Sequence, residues 1–72
     1  MIKTMQTVSY NVMTLLGRQG LSKTTFCQRH GLSESTLERI LDGKNVSVGI
    51  IEDYARVFHV EPWQLLKEGG ME

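Results

Sequence analysis

Few side chains in this sequence have the types and spacing that covalent or metal chemistry needs. Cys27 is the lone cysteine, His30 follows three residues later, and His59 is the other histidine. Three such groups make no four-ligand zinc set. Cys27 has no base-orienting constellation around it, so it reads as a small core residue and not a nucleophile. His30 reads as a partly buried histidine at a helix end. The glycines form neither GxGxxG nor GxxxxGK[ST], so no phosphate-binding loop is present. No enzyme activity, metal, cofactor or small-molecule ligand is expected. What remains is hydrogen-bonding chemistry, concentrated in Ser33, Glu34, Ser35, Thr36, Glu38 and Arg39. An arginine can pair with guanine O6 and N7, a glutamate can accept from cytosine N4, and a serine or threonine can meet a base or a phosphate.

Those six residues need a helix to present them. The apolar residues of the chain follow the helical period and not the alternating one. Val8, Val12, Leu15 and Leu16 make one stripe of a helix over roughly residues 7–18, closed by Gly20. Ser22 caps a short helix to about His30, with Phe26, Cys27 and His30 inward. Gly31 stops it, and Ser33 caps a third helix that runs to Asp42 and ends at Gly43, with Leu37, Ile40 and Leu41 as its core stripe. Ser47 opens a fourth helix carrying Ile51, Tyr54, Ala55 and Phe58. Pro62 suits the first position of a last short helix that contributes Leu65 and Leu66. The expected fold is all-α: an arm at 1–6, five short helices over 7–67, and a flexible tail at 68–72.

The connection His30-Gly31-Leu32-Ser33 is too short for its two helices to lie side by side, so they must cross steeply. Gly31 supplies the left-handed conformation of the turn, and small Cys27 permits close approach. This is what a helix-turn-helix over about 22–42 requires, with its second helix, about 33–42, held proud to enter a DNA major groove. At 100° per residue, Ser35 and Arg39 lie opposite the Leu37/Ile40/Leu41 stripe, with Thr36 and Glu38 on the flanks. The competing reading is a plain solvated face, with Ser33 only a cap and Arg39 paired to Asp42.

With these landmarks in place, Asn11 to Leu66 resembles the lambda-repressor/Cro-type (Xre-like) helix-turn-helix domains. The resemblance rests on Gly20-Leu21-Ser22, Phe26-Cys27, Gly31-Leu32-Ser33, Ser35-Thr36-Leu37, Arg39-Ile40, Gly43-Lys44, Tyr54-Ala55, Val60 and Leu65-Leu66, in order and without a gap. It implies a five-helix domain acting as a sequence-specific transcriptional regulator on a double-stranded DNA operator. It further implies a homodimer joined through the region around Trp63. Lys23 stands where the family usually has a phosphate-touching glutamine, and Lys44 and Asn45 fall in a loop that lies along the DNA backbone in that family. Phosphate contact is therefore the expected role of all three. The chain departs from the family pattern at His30, usually apolar, and at Leu41, often glutamate. Met13, Thr14 and Leu16 replace residues that are often basic, and Glu34 and Glu38 bring carboxylates near phosphate.

Charge distribution points the same way. Eight basic and eight acidic residues cancel overall. Within residues 18–44, however, five basic side chains outnumber three acidic ones, whereas residues 45–72 hold two basic and five acidic. The positive half contains the presumed reading helix, as phosphate attraction requires. The apolar share of 40% is ordinary for a folded domain. No apolar run exceeds two residues, against the roughly 20 of a membrane span and the 7–15 of a signal peptide. A cytoplasmic protein with no membrane partner is expected. A second functional class stays open: an antitoxin-like or adaptor module that binds protein through its acidic half or a Met13/Leu16 surface.

Overall fold

The computed structural model describes residues 3–70. They form five helices and no strand: α1 (Thr4–Gln19), α2 (Lys23–His30), α3 (Glu34–Leu41), α4 (Val48–Phe58) and α5 (Pro62–Leu66). Serines start the three middle helices. Ser22, Ser33 and Ser47 accept from the backbone N–H of Thr25, Thr36 and Ile50 at 3.2, 3.4 and 3.2 Å, relieving donors that have no intrahelical partner. Left-handed residues end α1 and α2 at Gly20 and Gly31, both at φ 66°. His59 takes the same role after α4 at φ 59°, a conformation that strains a side chain with a Cβ.

The first helix begins earlier than the sequence pattern indicates. Thr7 N–H reaches the Lys3 carbonyl at 3.0 Å, and Met5 packs on the core, so residues 4–6 are helix and not arm. Of the tail, Glu68 to Gly70 make a turn in which Gly70 N–H bonds the Lys67 carbonyl at 2.9 Å. Met1, Ile2, Met71 and Glu72 lie outside the described residues.

All five helices feed one core. Val8, Val12, Phe26, Leu37, Ile40 and Leu65 are fully buried, with Leu15, Cys27, Ile51, Tyr54, Ala55 and Phe58 nearly so. Each large apolar side chain taken fully from water contributes about 1.5–3 kcal/mol. Phe26 is the hinge of this packing: its ring stacks on Phe58 at 5.2 Å and meets Tyr54 at 6.3 Å, joining α2 to α4. Leu66 departs from the expected pattern. It is 44% exposed, because a helix of five residues can aim only one face inward and Leu65 occupies it.

Two polar residues of α1 are buried along with the core, Ser9 and Asn11. Ser9 Oγ donates to the Leu41 carbonyl at 2.7 Å. Asn11 Nδ2 donates to the carbonyls of Gln64, Leu65 and Lys67 at 3.1, 2.9 and 3.1 Å. Each thus satisfies carbonyls that a helix leaves unpaired at its C-terminus. One helix therefore grips the ends of two others, α3 and α5.

Candidate nucleic-acid interface

The site is built on the turn between α2 and α3. Gly31 leaves α2 in the left-handed conformation, and Leu32 N–H returns to the Cys27 carbonyl at 2.9 Å. No atom would touch a Cβ at Gly31, so backbone conformation and not crowding is what calls for glycine here. Ser33 then caps α3. The helix divides cleanly: Leu37 and Ile40 are fully buried and Leu41 half-buried, whereas Glu34, Ser35, Glu38 and Arg39 are exposed, as is Ser33. Thr36 is half-buried on the flank. Of the six residues picked out for base contact, Glu34, Ser35, Glu38 and Arg39 share the helix face that the core leaves to solvent, with Ser33 at its cap and Thr36 at its edge.

Two of these side chains are held by groups off the helix. Thr24 Oγ1, on α2, donates to Glu34 Oε1 at 2.7 Å. The carboxylate sits in the first turn of α3, where helix-terminal N–H groups favour negative charge. At the other end, Arg39 Nη2 donates to the Asn45 carbonyl at 2.8 Å. This loop carbonyl, and not the Asp42 carboxylate, is the acceptor. A guanidinium has five N–H donors, so one such bond leaves the rest for another partner. Lys44 N–H bonds the Arg39 carbonyl at 2.9 Å, which brings the loop back against the end of α3. Lys44 and Asn45 are both exposed there. Lys23, also exposed, is the first residue of α2 and precedes Thr24, whose side chain reaches the start of α3.

Cys27 and His30 lie behind this surface. Cys27 is buried, and burial, with a smaller contribution from the Glu34 charge, pushes its thiol pKa up, which disfavours the thiolate. His30 is half-buried, its ring 4.9 Å from that of Phe26. An imidazole can fill a site that relatives give to an apolar residue because its ring packs at a tilt against Phe26 and it is only half-buried.

Three residues with structural roles at this site were not singled out by sequence reasoning. Thr24 is one: two threonines are adjacent, and only the structure separates them, Thr25 accepting from Ser22 Oγ at 2.9 Å while Thr24 reaches across to α3. Ser9 and Asn11 are the others. Their signal was present as two polar residues flanked by Val8 and Val12 on an otherwise apolar stripe, but their partners are 32 and 53–56 residues away.

The Cro/C1-type HTH DNA-binding domain matches residues 11–67. The chain belongs to that family. The Cro/C1-type match begins at Asn11 and ends at Lys67, and the Asn11 side chain donates to the Lys67 carbonyl, so the matched segment is closed by a bond between its own first and last residues. Curated proteins and solved structures gave no match to the chain. No described helix of this Cro/C1-type domain is long and apolar enough to cross a membrane.

Proposed function

We propose that this Cro/C1-type domain is a sequence-specific regulator of transcription that docks α3 in the major groove of an operator. The observation that carries the reading is the division of α3. Its apolar side chains pack on the core, and Glu34, Ser35, Glu38 and Arg39 on the other side, with Ser33 at the cap and Thr36 at the edge, offer donors and acceptors suited to base edges. Lys23 and Lys44 flank that face at the start of α2 and after α3, where phosphates run beside a docked helix, and Asn45 adds a loop amide. The rings and side chains of Tyr10, Met13, Trp63 and Leu66, 44–65% exposed, are apolar surface beyond the core's needs. We assign Trp63 and Leu66 to a homodimer contact; a palindromic site would require it to hold two copies of α3 about 34 Å apart. An adaptor role through Leu16 is less favoured than the sequence suggested, since Leu16 is half-buried and packs on the core.

Selection on randomised double-stranded DNA tests the proposal directly. The expected result is an enriched palindromic motif bound more tightly as salt falls. Arg39→Ala should relax the preferred base at one position, and Lys44→Ala should lower the salt slope by about one unit. No enriched motif at low salt, with a protein partner captured instead, would replace this reading by the adaptor one. Unchanged affinity and slope in both variants would refute the docking geometry.

A further inference from the structure

We infer that Thr24 is a positioning residue for base recognition, acting through Glu34 without itself touching a base. The inference rests on the operator-binding reading above and adds a residue and a base preference to it. Glu34 opens α3, the end that enters a groove first, and its carboxylate is exposed. Left alone, a glutamate there swings among rotamers, and its charge is repelled by the phosphates on either side of the groove. Thr24 Oγ1 removes that freedom by donating to Oε1 at 2.7 Å from the neighbouring helix. A bond from a hydroxyl to a charged acceptor is stronger than one between neutral groups. The adjacent Thr25 faces the other way, its hydroxyl accepting from Ser22 Oγ at 2.9 Å, and only Thr24 reaches Glu34.

The chemistry of the held group then selects a base. Oε1 has a donor already, and Oε2 keeps its lone pairs for another. A carboxylate has no hydrogen to give, so it is repelled by guanine O6 and N7 and by thymine O4. It accepts well from cytosine N4, whose amino group has no acceptor beside it on the same base in the major groove. Adenine offers N6 but places the N7 acceptor next to it. Glu34, fixed by Thr24, therefore reads cytosine.

Competition binding with the full chain tests this. The motif selected by the unaltered protein is compared with duplexes changed at each base pair in turn, using Thr24→Val, Thr24→Ser and Glu34→Gln. The unaltered protein should lose about tenfold in affinity when one particular C·G pair is replaced, the size expected for one charge-assisted hydrogen bond. Thr24→Val should flatten that penalty at this pair alone, with affinity for random duplex unchanged, and Thr24→Ser should restore it. Glu34→Gln should move the preference at the same pair toward adenine, which a glutamine amide matches. Full discrimination by Thr24→Val at every pair would overturn the inference while leaving the operator reading intact. An equal loss at all pairs, or a lowered melting temperature that accounts for the loss, would reduce Thr24 to a helix-packing role and overturn it too. If the unaltered protein selects no motif, the operator reading itself fails and the inference falls with it.

Discussion

Replacing Asn11 by leucine keeps the volume near Leu65 and removes the donor that three carbonyls share. The magnitude follows from their burial. The bond to Leu65 is buried, and those to Gln64 and Lys67 are partly buried. A buried acceptor left without a partner, as at Leu65, costs about 1–3 kcal/mol; the partly wetted Gln64 carbonyl recovers some of that from water, and the Lys67 carbonyl keeps the Gly70 N–H. About 3 kcal/mol in total is a large share of the roughly 4–11 kcal/mol that 0.05–0.15 kcal/mol per residue gives a chain of this length. With a urea dependence of about 1 kcal/mol per molar, the unfolding midpoint should fall by about 3 M. Far-UV circular dichroism reports the whole bundle in that titration, and Trp63 fluorescence reports α5. If α5 is held chiefly by this amide, the Trp63 transition should also move ahead of the dichroism. Asn11→Asp should be worse still, because it sets a charge against three carbonyl oxygens and offers no hydrogen. A midpoint within about 1 M of the parent for Asn11→Leu, at unchanged slope, would mean the carbonyls find water readily and the proposed cap is not a stabilising one.

Three further substitutions probe other groups. Ser9→Ala removes the 2.7 Å bond to the Leu41 carbonyl and should cost about 1 kcal/mol, read by calorimetry as a melting temperature lower by about 4–8 °C. His59→Gly should raise stability by about 1 kcal/mol in urea titration, since glycine accepts φ 59° without strain. Tyr54→Phe should leave stability unchanged or raised near neutral pH, because the Tyr54 hydroxyl is buried with no hydrogen-bond partner among the described residues. Burial pushes the Tyr54 pKa from 10.0 up to about 12. The folded chain therefore holds a proton that the unfolded chain gives up, and this contribution is complete below pH 10 and lost as pH rises toward 12. The parent should lose about 2–3 kcal/mol more than Tyr54→Phe across that interval. Parallel alkaline limbs in the two proteins would contradict it.

Local signals made most of this architecture legible. Serine caps and left-handed glycines act within three or four residues of themselves, so Ser22, Gly31, Ser33 and Ser47 mark their boundaries without reference to the rest of the chain. The apolar stripes of α3 and α4 predict Leu37, Ile40, Tyr54 and Phe58 as core for the same reason. The start of α1 was harder, since no capping side chain stands at Lys3 and the helix is extended by Met5 finding the core. The exposure of Leu66 is not legible in the stripe, because the helical period marks every apolar residue whereas a five-residue helix has room to bury one. At the candidate interface, the outward residues of α3 followed from periodicity. Their fastening did not, because the Thr24 to Glu34 and Arg39 to Asn45 bonds depend on how separate elements meet.

The grip of Ser9 on Leu41 has a consequence for how such a domain changes over generations. It fastens α3 at its far end, through a main-chain oxygen that every residue type supplies. Exchanges at Ser35 or Glu38 disturb neither that fastening nor the hydrophobic interior. Under the proposed operator docking, substitutions at those two positions would therefore retarget the domain while the bundle keeps its melting behaviour.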